Sequence, residues 1–597
     1  MGAARRAAFA DLFALLRLTP KPRRATATLI VLGLASSLAE TLGITLILLF
    51  FYSAMGQLDV AASTGGLLGD ALAWAGKLFE SSAQMALFIL LLIVARGALA
   101  YAYGLISESV SSRISERAMN LIHKQYLSVA YGFVQKFEQA QLMEVLGTES
   151  WTIAGAHASF TRIIVSLSSI AVFTAFLLAL SWQVALIAVV GSALTMAVSR
   201  RLSEPARKLG AQVKEVNQEL AEHMLMTLQG MRTIRAYAVE DEHQQRFMAS
   251  AATARENRME LARQSAMIHP ITEVSYLAIL CAIIAGAPAL GASFATTVAA
   301  IALLYRLQPH VRSLEGNLLY LAQVEPQLRS VRAMLDTGDK EYPLPGHRAL
   351  ASLGGGIRFE NVTFRYRPEG KPVLDDVSFE IPEGVTTALV GSSGAGKTTV
   401  VNLLLRLYRP QEGRILVGEA GLDEISRRDW LGHLAVAGQD VELIEGTVID
   451  NIRMARHDAS EADIIDAARI AGVAEFIEPL PDGYETWIGQ EGLNFSGGQR
   501  QRIGLARAVL RDPRFLILDE AMSALDRGLE DRIRQALDQR FRGRTILLIT
   551  HRLETVLNAD KVVCIEEGRV VSAGPPDALL SDPTSALTRA LQVAKQR

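Results

Sequence analysis

The sequence predicts a multidomain membrane protein in which an all-α membrane half precedes a soluble α/β half. Its 597 residues correspond to roughly two to four domains. Half of these residues are apolar and the mean hydropathy is +0.23, which excludes an intrinsically disordered chain. Long apolar stretches occur before about residue 335, whereas β-rich runs alternate with amphipathic helical segments after it.

Composition also excludes several classes of function. The 60 Lys and Arg residues nearly balance the 62 Asp and Glu residues, so no global positive field attracts nucleic acid. The two cysteines, Cys281 and Cys564, lie in opposite halves of the chain, which argues against a disulfide framework or a cysteine metal site. We therefore expect a membrane protein with a soluble domain and no nucleic-acid partner.

Six apolar stretches in the first half are long enough, or nearly so, to cross a hydrocarbon core of about 30 Å. They cover residues 29–52, 84–106, 160–180, 182–199, 272–290 and 294–320. Basic residues are frequent before the first span, after the second and after the fourth, whereas Lys77 is the only one in the loop at 53–83. By the positive-inside rule, both termini face the cytosol.

Two segments between the spans are predicted to extend the helices into the cytosol. Residues 107–158 and 200–271 are polar and free of helix breakers over long runs, so the helices of spans two to five continue below the membrane. Their turns, near Tyr131–Phe137 and Tyr237–Glu242, are therefore candidates for contact with the soluble half.

Composition also predicts where the domains begin and end. Residues 1–24 are typical of an amphipathic elbow helix in the membrane interface, with a transit peptide as the alternative interpretation. The six-span domain then covers residues 25–335, and a polar segment containing Pro and Gly at 336–356 forms a linker. The soluble domain covers residues 357–597.

The soluble half carries a glycine-rich loop between a β-branched strand, Thr386–Val390, and an apolar helix. This order is typical of a phosphate-binding loop, because glycines let backbone N–H groups surround phosphates at the positive helix N-terminus. Lys397 is placed to reach the outer phosphates, and the Thr398 hydroxyl is placed to bind Mg²⁺. The predicted phosphate-binding residues are Gly391, Ser392, Ser393, Gly394, Ala395, Gly396, Lys397, Thr398 and Thr399.

A second predicted strand, FLILDE at Phe515–Glu520, ends in two carboxylates. Asp519 is expected to join the Mg²⁺ ligands, and Glu520 is expected to orient and polarise the attacking water. Together with the glycine-rich loop, this strand predicts an α/β P-loop NTPase domain.

The segment NFSGGQRQR at 494–502 completes a set of motifs that resembles the ATP-binding cassette (ABC) transporters, specifically exporter-type half-transporters. The resemblance covers nearly the whole chain, because six spans followed by one cassette is the layout of that group. It implies ATP and Mg²⁺ as cofactors. It also implies a dimer, because the signature motif of one cassette contacts ATP bound to the other. A homodimer suffices when both half-sites are intact, and a heterodimer with a sister subunit is the alternative.

The resemblance also implies roles for individual residues. Tyr366 matches the aromatic residue that stacks on adenine, and Gln439 matches the glutamine that joins the metal site to the membrane domain. His551 matches the histidine that contacts the γ-phosphate. The implied catalytic set is Glu520, His551, Gln439 and Lys397, and the implied metal ligands are Thr398, Gln439 and Asp519. The remaining implied nucleotide contacts are Ser496, Gly497, Gly498, Gln499 and Asp526.

Polar groups inside the predicted spans point to the substrate, because a charge near the bilayer centre costs about 3 kcal/mol or more. Glu40 lies in the first span, and Arg306, His310 and Arg312 surround Pro309 in the last. Basic groups that line a cavity suit an anionic headgroup. Structural ion pairs within the helix bundle are the alternative interpretation, and both stay open.

The membrane half is similar to bacterial lipid-linked-oligosaccharide flippases in ETLGITLILLF of the first span and LLYRLQPHVRSLEGNL of the last. An outer loop at 67–79 has apolar residues at helical spacing, as in the external helix of that group. We therefore expect export or flipping of an amphipathic or lipid-like substrate across a bacterial inner membrane, with the ATP-binding domain in the cytoplasm. Peptide or small-molecule export, and less readily siderophore import, are alternatives with the same layout.

Overall fold

The computed structural model describes residues 10–15, 22–54, 81–202, 206–286, 294–439, 441–489, 495–550 and 552–589. The chain forms two compact units. The membrane unit consists of Met1–Ser128 and Gln135–Lys340, and the α/β unit consists of Val129–Val134 and Glu341–Arg597. The predicted outer helix at 67–79 lies outside the described residues.

The described part of the membrane unit is helical. Its long helices are α1 (Pro22–Ala54), α2 (Ser82–Ser128), α3 (Ser150–Leu180), α4 (Trp182–Leu202), α5 (Ala206–Gln229), α6 (Glu240–Gly286) and α7 (Phe294–Leu335). Six of them contain the described parts of the six predicted spans, and α5 belongs to the predicted cytosolic extension. Helix α7 runs through Pro309 without a break.

Short elements connect these helices at the predicted cytosolic side. Gln139–Glu144 is followed by a π-helical turn, Val145–Glu149, which leads directly into α3. The buried Glu149 forms an ion pair with Lys214 of α5 at 3.0 Å. The helix Met231–Ala236 separates α5 from α6. These connections give α2, α3, α5 and α6 the long extensions that the polar sequence predicts.

Apolar packing holds the membrane unit together. Helix α7 packs along α3, and α1 packs along α2. Residues of α3, α4, α6 and α7 share a buried cluster that includes Phe173, Leu177, Ala188, Ile283 and Leu304. Within the described residues, three stretches are long and apolar enough to cross a membrane, Ala83–Ser128, Gln139–Ala179 and Glu240–Gly286, and two further apolar stretches, Thr26–Glu40 and Trp182–Val198, are shorter.

The α/β unit contains two sheets among its described residues. Strands β1 (Gly356–Phe364), β2 (Leu374–Pro382), β4 (Glu412–Val417) and β5 (Ala420–Gly421) form an antiparallel sheet in the order β2-β1-β4-β5. The larger sheet has the order β10-β9-β3-β8-β7-β6 and consists of β3 (Thr386–Val390), β6 (Leu434–Ala437), β7 (Phe515–Asp519), β8 (Thr545–Ile549), β9 (Lys561–Glu566) and β10 (Arg569–Gly574). It is parallel except for β10.

Short helices cover these sheets. They are α8 (Lys397–Leu404), α9 (Arg427–His433), α10 (Val448–Arg453), α11 (Glu461–Ile470), α12 (Ala474–Ile477), α13 (Gly497–Arg511), α14 (Arg527–Arg540), α15 (Leu553–Leu557) and α16 (Pro576–Ser581), with a 3₁₀ turn at Gly483–Glu485. The fully buried Trp430 packs between the two sheets, and its indole N–H donates to Leu404 O at 2.6 Å. A buried indole needs such a partner, because an unpaired N–H in the core is costly.

The segment Val129–Val134 packs within the α/β unit although its neighbours in sequence belong to the membrane unit. Tyr131 meets Tyr408 edge-on with ring centroids 6.0 Å apart, and Ala130 N–H donates to Glu341 O at 2.8 Å. A side chain at Gly132 would lie 2.9 Å from the Tyr408 ring, so the close approach depends on glycine. This segment begins the first of the two turns that the sequence marks for contact with the soluble half.

Candidate functional site

The larger sheet brings the predicted nucleotide residues to one edge. Strands β6, β7, β8 and β3 are parallel neighbours, so their carboxyl ends lie side by side. Gln439 follows β6, Asp519 and Glu520 stand at the end of β7, and the glycine-rich loop follows β3. Ligands bind at this edge in open α/β sheets. The topology therefore assembles motifs that are far apart in the sequence.

The glycine-rich loop follows β3 and is shaped by its glycines. Gly394 and Gly396 have φ angles of +81° and +104°, a region in which side chains are strained. A Cβ atom at Gly396 would lie 2.6 Å from Leu374 Cδ2, whereas one at Gly394 would meet nothing within 4 Å. One side of the loop is therefore packed against β2, and the other is open to a ligand at the start of α8.

Lys397 lies under this loop. Its ammonium donates to Gly391 O at 2.8 Å and to Ser392 O at 2.9 Å, and the residue is buried. Burial lowers the pKa of Lys397 below its ordinary value, while the nearby Glu520 and Asp519 carboxylates oppose that change. The cation is thus already largely desolvated and held in place, as strong phosphate binding requires.

The two carboxylates at the end of β7 are positioned by the backbone. Glu520 has a φ angle of +48°, an uncommon value for a residue with a side chain. Its N–H donates to Ile549 O of β8 at 2.9 Å, and its carbonyl accepts from Ser523 N–H at 3.0 Å. Such a strained backbone is typical of functional sites, and here it turns the chain sharply after Asp519.

Tyr366 lies beside the glycine-rich loop in a cluster of aromatic rings. Its hydroxyl is 3.1 Å from Thr399 Oγ1 and accepts from Asn402 Nδ2 at 3.3 Å. The ring meets Tyr408 edge-on at 5.2 Å, and the side chain is 45% exposed. It is therefore fixed on one side and accessible on the other, which suits stacking on a purine base.

The signature motif forms a capping box at the start of α13. Ser496 Oγ accepts from Gln499 N–H at 3.2 Å, and Gln499 Oε1 accepts from Ser496 N–H at 2.7 Å. Gly497 and Gly498 occupy the first helical turn. This turn begins a helix of 15 residues, so its free N–H groups and the positive end of the helix dipole favour an anion.

The remaining residues predicted to contact the nucleotide are Gln439, Asp526 and His551. Gln439 is exposed just after β6. Asp526 caps α14 by accepting from Leu529 N–H at 3.0 Å, so its side chain has a structural partner within the unit. His551 lies outside the described residues, and its role stays a prediction.

The donor set fits Mg²⁺. Thr398 and Gln439 are exposed, and Asp519 is partly exposed at the strand end. All three offer oxygen atoms, which Mg²⁺ prefers. No group of three His, Cys, Asp or Glu residues capable of holding a metal occurs in the described residues. A Mg²⁺ ion here would share its coordination with nucleotide phosphates, as is usual for this ion.

The membrane unit has a polar cluster at the predicted substrate residues. We call Glu40, Arg96, Arg306 and His310 the Glu40 cluster. The Glu40 carboxylate is 2.8 Å from Arg96 Nη2, 3.4 Å from Arg306 Nη1 and 3.7 Å from His310 Nε2. Its side chain is only 8% exposed. The structure therefore joins three of the four predicted residues around one carboxylate. The fourth, Arg312, has a buried Nε without a hydrogen-bond partner among the described residues.

Two neighbours of these sites were not predicted from the sequence. Arg96 makes the shortest contact with Glu40, and its charge within the second span is a signal that could have identified it. Tyr408 links the Tyr366 ring to Tyr131, and no motif marks it. Both residues depend on contacts between elements distant in sequence.

Two family models match the chain. The model described as ABC transporter matches residues 374–523, and the model described as ABC transporter transmembrane region matches residues 29–304. The two matches therefore include the α/β unit around the nucleotide residues and most of the membrane unit.

Relatives are similar over most of the chain. The heterocyst differentiation ATP-binding protein HepA of Nostoc sp. is 31% identical over 83% of this chain and 82% of the relative. An ATP-dependent lipid A-core flippase of Ralstonia nicotianae is 30% identical over 89% of this chain and 92% of the relative. The solved structure of a bacterial Atm1-family ABC exporter with ATP bound has a TM-score of 0.79 at 22% identity, covers 96% of this chain and 98% of its own, and shares the fold.

Proposed function

This chain belongs to the ABC transporter family, and from that premise we propose that it moves an anionic, lipid-like molecule out of the cytoplasmic side of a membrane. It is an ATP-driven exporter or flippase that couples ATP hydrolysis to transport. The observation that supports the substrate class is the excess of positive charge in the Glu40 cluster.

In the proposed hydrolysis, each residue acts through the geometry of its loop. Lys397 binds the outer phosphates, and the open side of the loop at Gly394 gives them access to backbone N–H groups. Glu520 orients the attacking water and accepts its proton, while His551 contacts the γ-phosphate. Tyr366 stacks on the adenine. When bound, Mg²⁺ neutralises phosphate charge, and Thr398, Gln439 and Asp519 would hold it.

The substrate argument rests on the charge balance of the Glu40 cluster. Two guanidinium groups face one carboxylate, so the cluster carries a net charge of about +1 even when His310 is neutral. The side chains of Arg96 and Arg306 are 38% and 42% exposed, so each retains surface on which a ligand can bind. This surplus of positive charge favours a phosphate or carboxylate headgroup.

We infer that the functional form is a homodimer in a bacterial inner membrane, with the α/β units in the cytoplasm. In support of this, Ser496 and Gly497 at the N-terminus of α13 are exposed, so this helix end is accessible to the anion that ATP held by a second copy would supply.

The first experiment measures ATPase activity of the purified chain alone in lipid nanodiscs. Glu520→Gln is expected to bind ATP as tightly as the wild type and to lose nearly all turnover. Robust wild-type activity that this change abolishes supports the homodimer and the role of Glu520. A variant that keeps wild-type turnover excludes Glu520 as the general base, and an inactive but folded wild-type chain supports a missing sister subunit.

The second experiment tests the substrate class in proteoliposomes. Fluorescent phosphatidic acid and fluorescent phosphatidylcholine are compared for ATP-dependent movement between leaflets, measured by dithionite quenching. Movement of phosphatidic acid that Glu520→Gln abolishes supports an anionic lipid-like substrate. Equal movement of both lipids, or of neither, contradicts the proposed role of the positive cluster.

A further inference from the structure

One face of α13 lies against two loops of the nucleotide site. The face is formed by Gly498, Gln501 and Gly504, which are three residues apart and therefore neighbours on the helix surface. A Cβ atom at Gly498 would lie 3.0 Å from Ala524 O, and one at Gly504 would lie 2.6 Å from Val441 Cγ2. The loop after Glu520 thus touches one end of this face, and the segment after Gln439 touches the other.

Gln501 joins both loops from the middle of this face. Its Nε2 donates to Gln439 O at 3.3 Å and to Ser523 Oγ at 3.2 Å, and its Oε1 accepts from Ala524 N–H at 3.2 Å. The side chain is 5% exposed, so both donor hydrogens and the acceptor are used away from water. A buried amide with three such contacts fixes the distance between the two loops.

A second anchor holds the same segment to α13. Arg507 donates to Glu442 O at 2.8 Å, to Asn451 O at 2.8 Å and to Asn451 Oδ1 at 2.6 Å. The residue is largely buried, and this burial lowers the pKa of Arg507 from its ordinary value. The segment from Gln439 to Glu442 is therefore attached to α13 at both ends, and displacement of the helix moves this segment with it.

We propose that Gln501 is a positioning residue that transmits the engagement of the signature helix to the glutamine segment and to the loop after Glu520. The inference rests on the proposed function, because it assumes that ATP of a second copy binds at the N-terminus of α13. Docking of that ATP displaces α13, and the Gln501 amide shifts Gln439 and Ser523–Ala524 together. Gln501 is 5% exposed and its three hydrogen bonds are all with the protein, so we expect it to make no direct contact with nucleotide. Its loss affects the rate of hydrolysis rather than the binding of ATP.

The test compares the full-length chain with Gln501→Met and Gln501→Glu in nanodiscs. Methionine keeps the volume and removes all three contacts, whereas glutamate keeps an acceptor for Ala524 N–H and for the Ser523 hydroxyl and loses the donor to Gln439 O. We expect kcat to fall about tenfold or more in both variants, since the glutamate carboxylate repels Gln439 O, with the Kd for a fluorescent ATP analogue within about twofold of wild type.

The matched control is Thr545→Val, which removes the partly buried hydrogen bond that Gly384 N–H donates to Thr545 Oγ1 at 2.9 Å. Thr545 begins β8, at the sheet edge opposite the nucleotide loops, so this variant is expected to keep the wild-type kcat. A kcat within about twofold of wild type in Gln501→Met overturns the proposal, as does an equal loss of kcat in the control. If Gln501→Met does not fold, the isosteric Gln501→Glu decides by the same split between kcat and Kd. Glu520→Gln separates this proposal from the proposed function. Activity that survives Glu520→Gln contradicts Glu520 as the general base, and the kcat values of the Gln501 variants still show whether Gln501 sets the rate of hydrolysis.

Discussion

Substitution of Glu40 by glutamine distinguishes a substrate-binding role of the Glu40 cluster from a structural one. The change removes the carboxylate that contacts Arg96 at 2.8 Å and Arg306 at 3.4 Å but preserves the volume of the side chain. Breaking a fully buried ion pair costs about 3–5 kcal/mol. Because the two arginine side chains are 38% and 42% exposed, solvent screens them and we expect about 1–2 kcal/mol here.

The same change raises the net charge of the cluster by one. At an effective dielectric constant of about 20, one charge acting on an anion ~8 Å away contributes about 2 kcal/mol, and solvent around the partly exposed arginines reduces this to about 1–2 kcal/mol. The affinity for an anionic headgroup should therefore rise about five- to thirtyfold. Arg306→Ala should have the opposite effect, because it removes a positive charge from the cluster.

The assay is the stimulation of ATPase activity by phosphatidic acid titrated into phosphatidylcholine nanodiscs. Glu40→Gln should lower the half-saturating fraction of phosphatidic acid, and Arg306→Ala should raise it, with basal turnover preserved in both. Thermal unfolding measured in parallel reports the structural cost. If both variants unfold at lower temperature and neither shifts the half-saturating fraction, the Glu40 cluster is a structural ion pair and the substrate argument is refuted.

Three further predictions concern the α/β unit. Gly396→Ala should abolish ATP binding. An alanine at the φ angle of +104° is strained and its Cβ meets Leu374, and each effect costs about 1–3 kcal/mol in the loop conformation. Tight binding of a fluorescent ATP analogue by this variant would contradict the prediction. Ser496→Ala should lose about 1 kcal/mol of unfolding free energy, because the Gln499 N–H loses its partner, and Ser496→Asp should restore stability in chemical denaturation. Burial raises the pKa of the Cys564 thiol, so its thiolate fraction at pH 8 is lower than that of a free cysteine. Mass spectrometry should therefore find Cys564 alkylated by iodoacetamide only after denaturation. Rapid alkylation of the native protein would contradict this and show that β9 opens.

Features with a local cause could be predicted from the sequence. Strand β3 follows from its β-branched residues, and the glycine-rich loop follows from φ angles that only glycine adopts without strain. The buried strand Phe515–Asp519 follows from an uninterrupted apolar run before a carboxylate pair. Each of these segments carries its own physical signal, so neighbouring residues suffice to identify it.

Features that depend on pairing between distant elements could not be predicted in the same way. The contact between Arg96 and Glu40 requires α1 and α2 to pack in one register, and apolar sequences permit several registers. Gln501 lies in the motif at 494–502, but its contacts with Gln439 and Ser523 arise only when α13 lies beside two other loops. The position of a residue in the sequence gives no signal for contacts that require three separate elements to come together.

The capping box at Ser496 has a consequence for the thermodynamics of the proposed dimerisation. Because Ser496 and Gln499 satisfy each other within one chain, the first turn of α13 is ordered before any second copy arrives. Ordering a backbone costs about 1–2 kcal/mol per residue in conformational entropy. Because this turn is already ordered, that cost does not reduce the association free energy. ATP-driven closure at this helix should then resemble the docking of rigid surfaces, with a heat-capacity change set by the contact area and without the larger change that accompanies coupled folding.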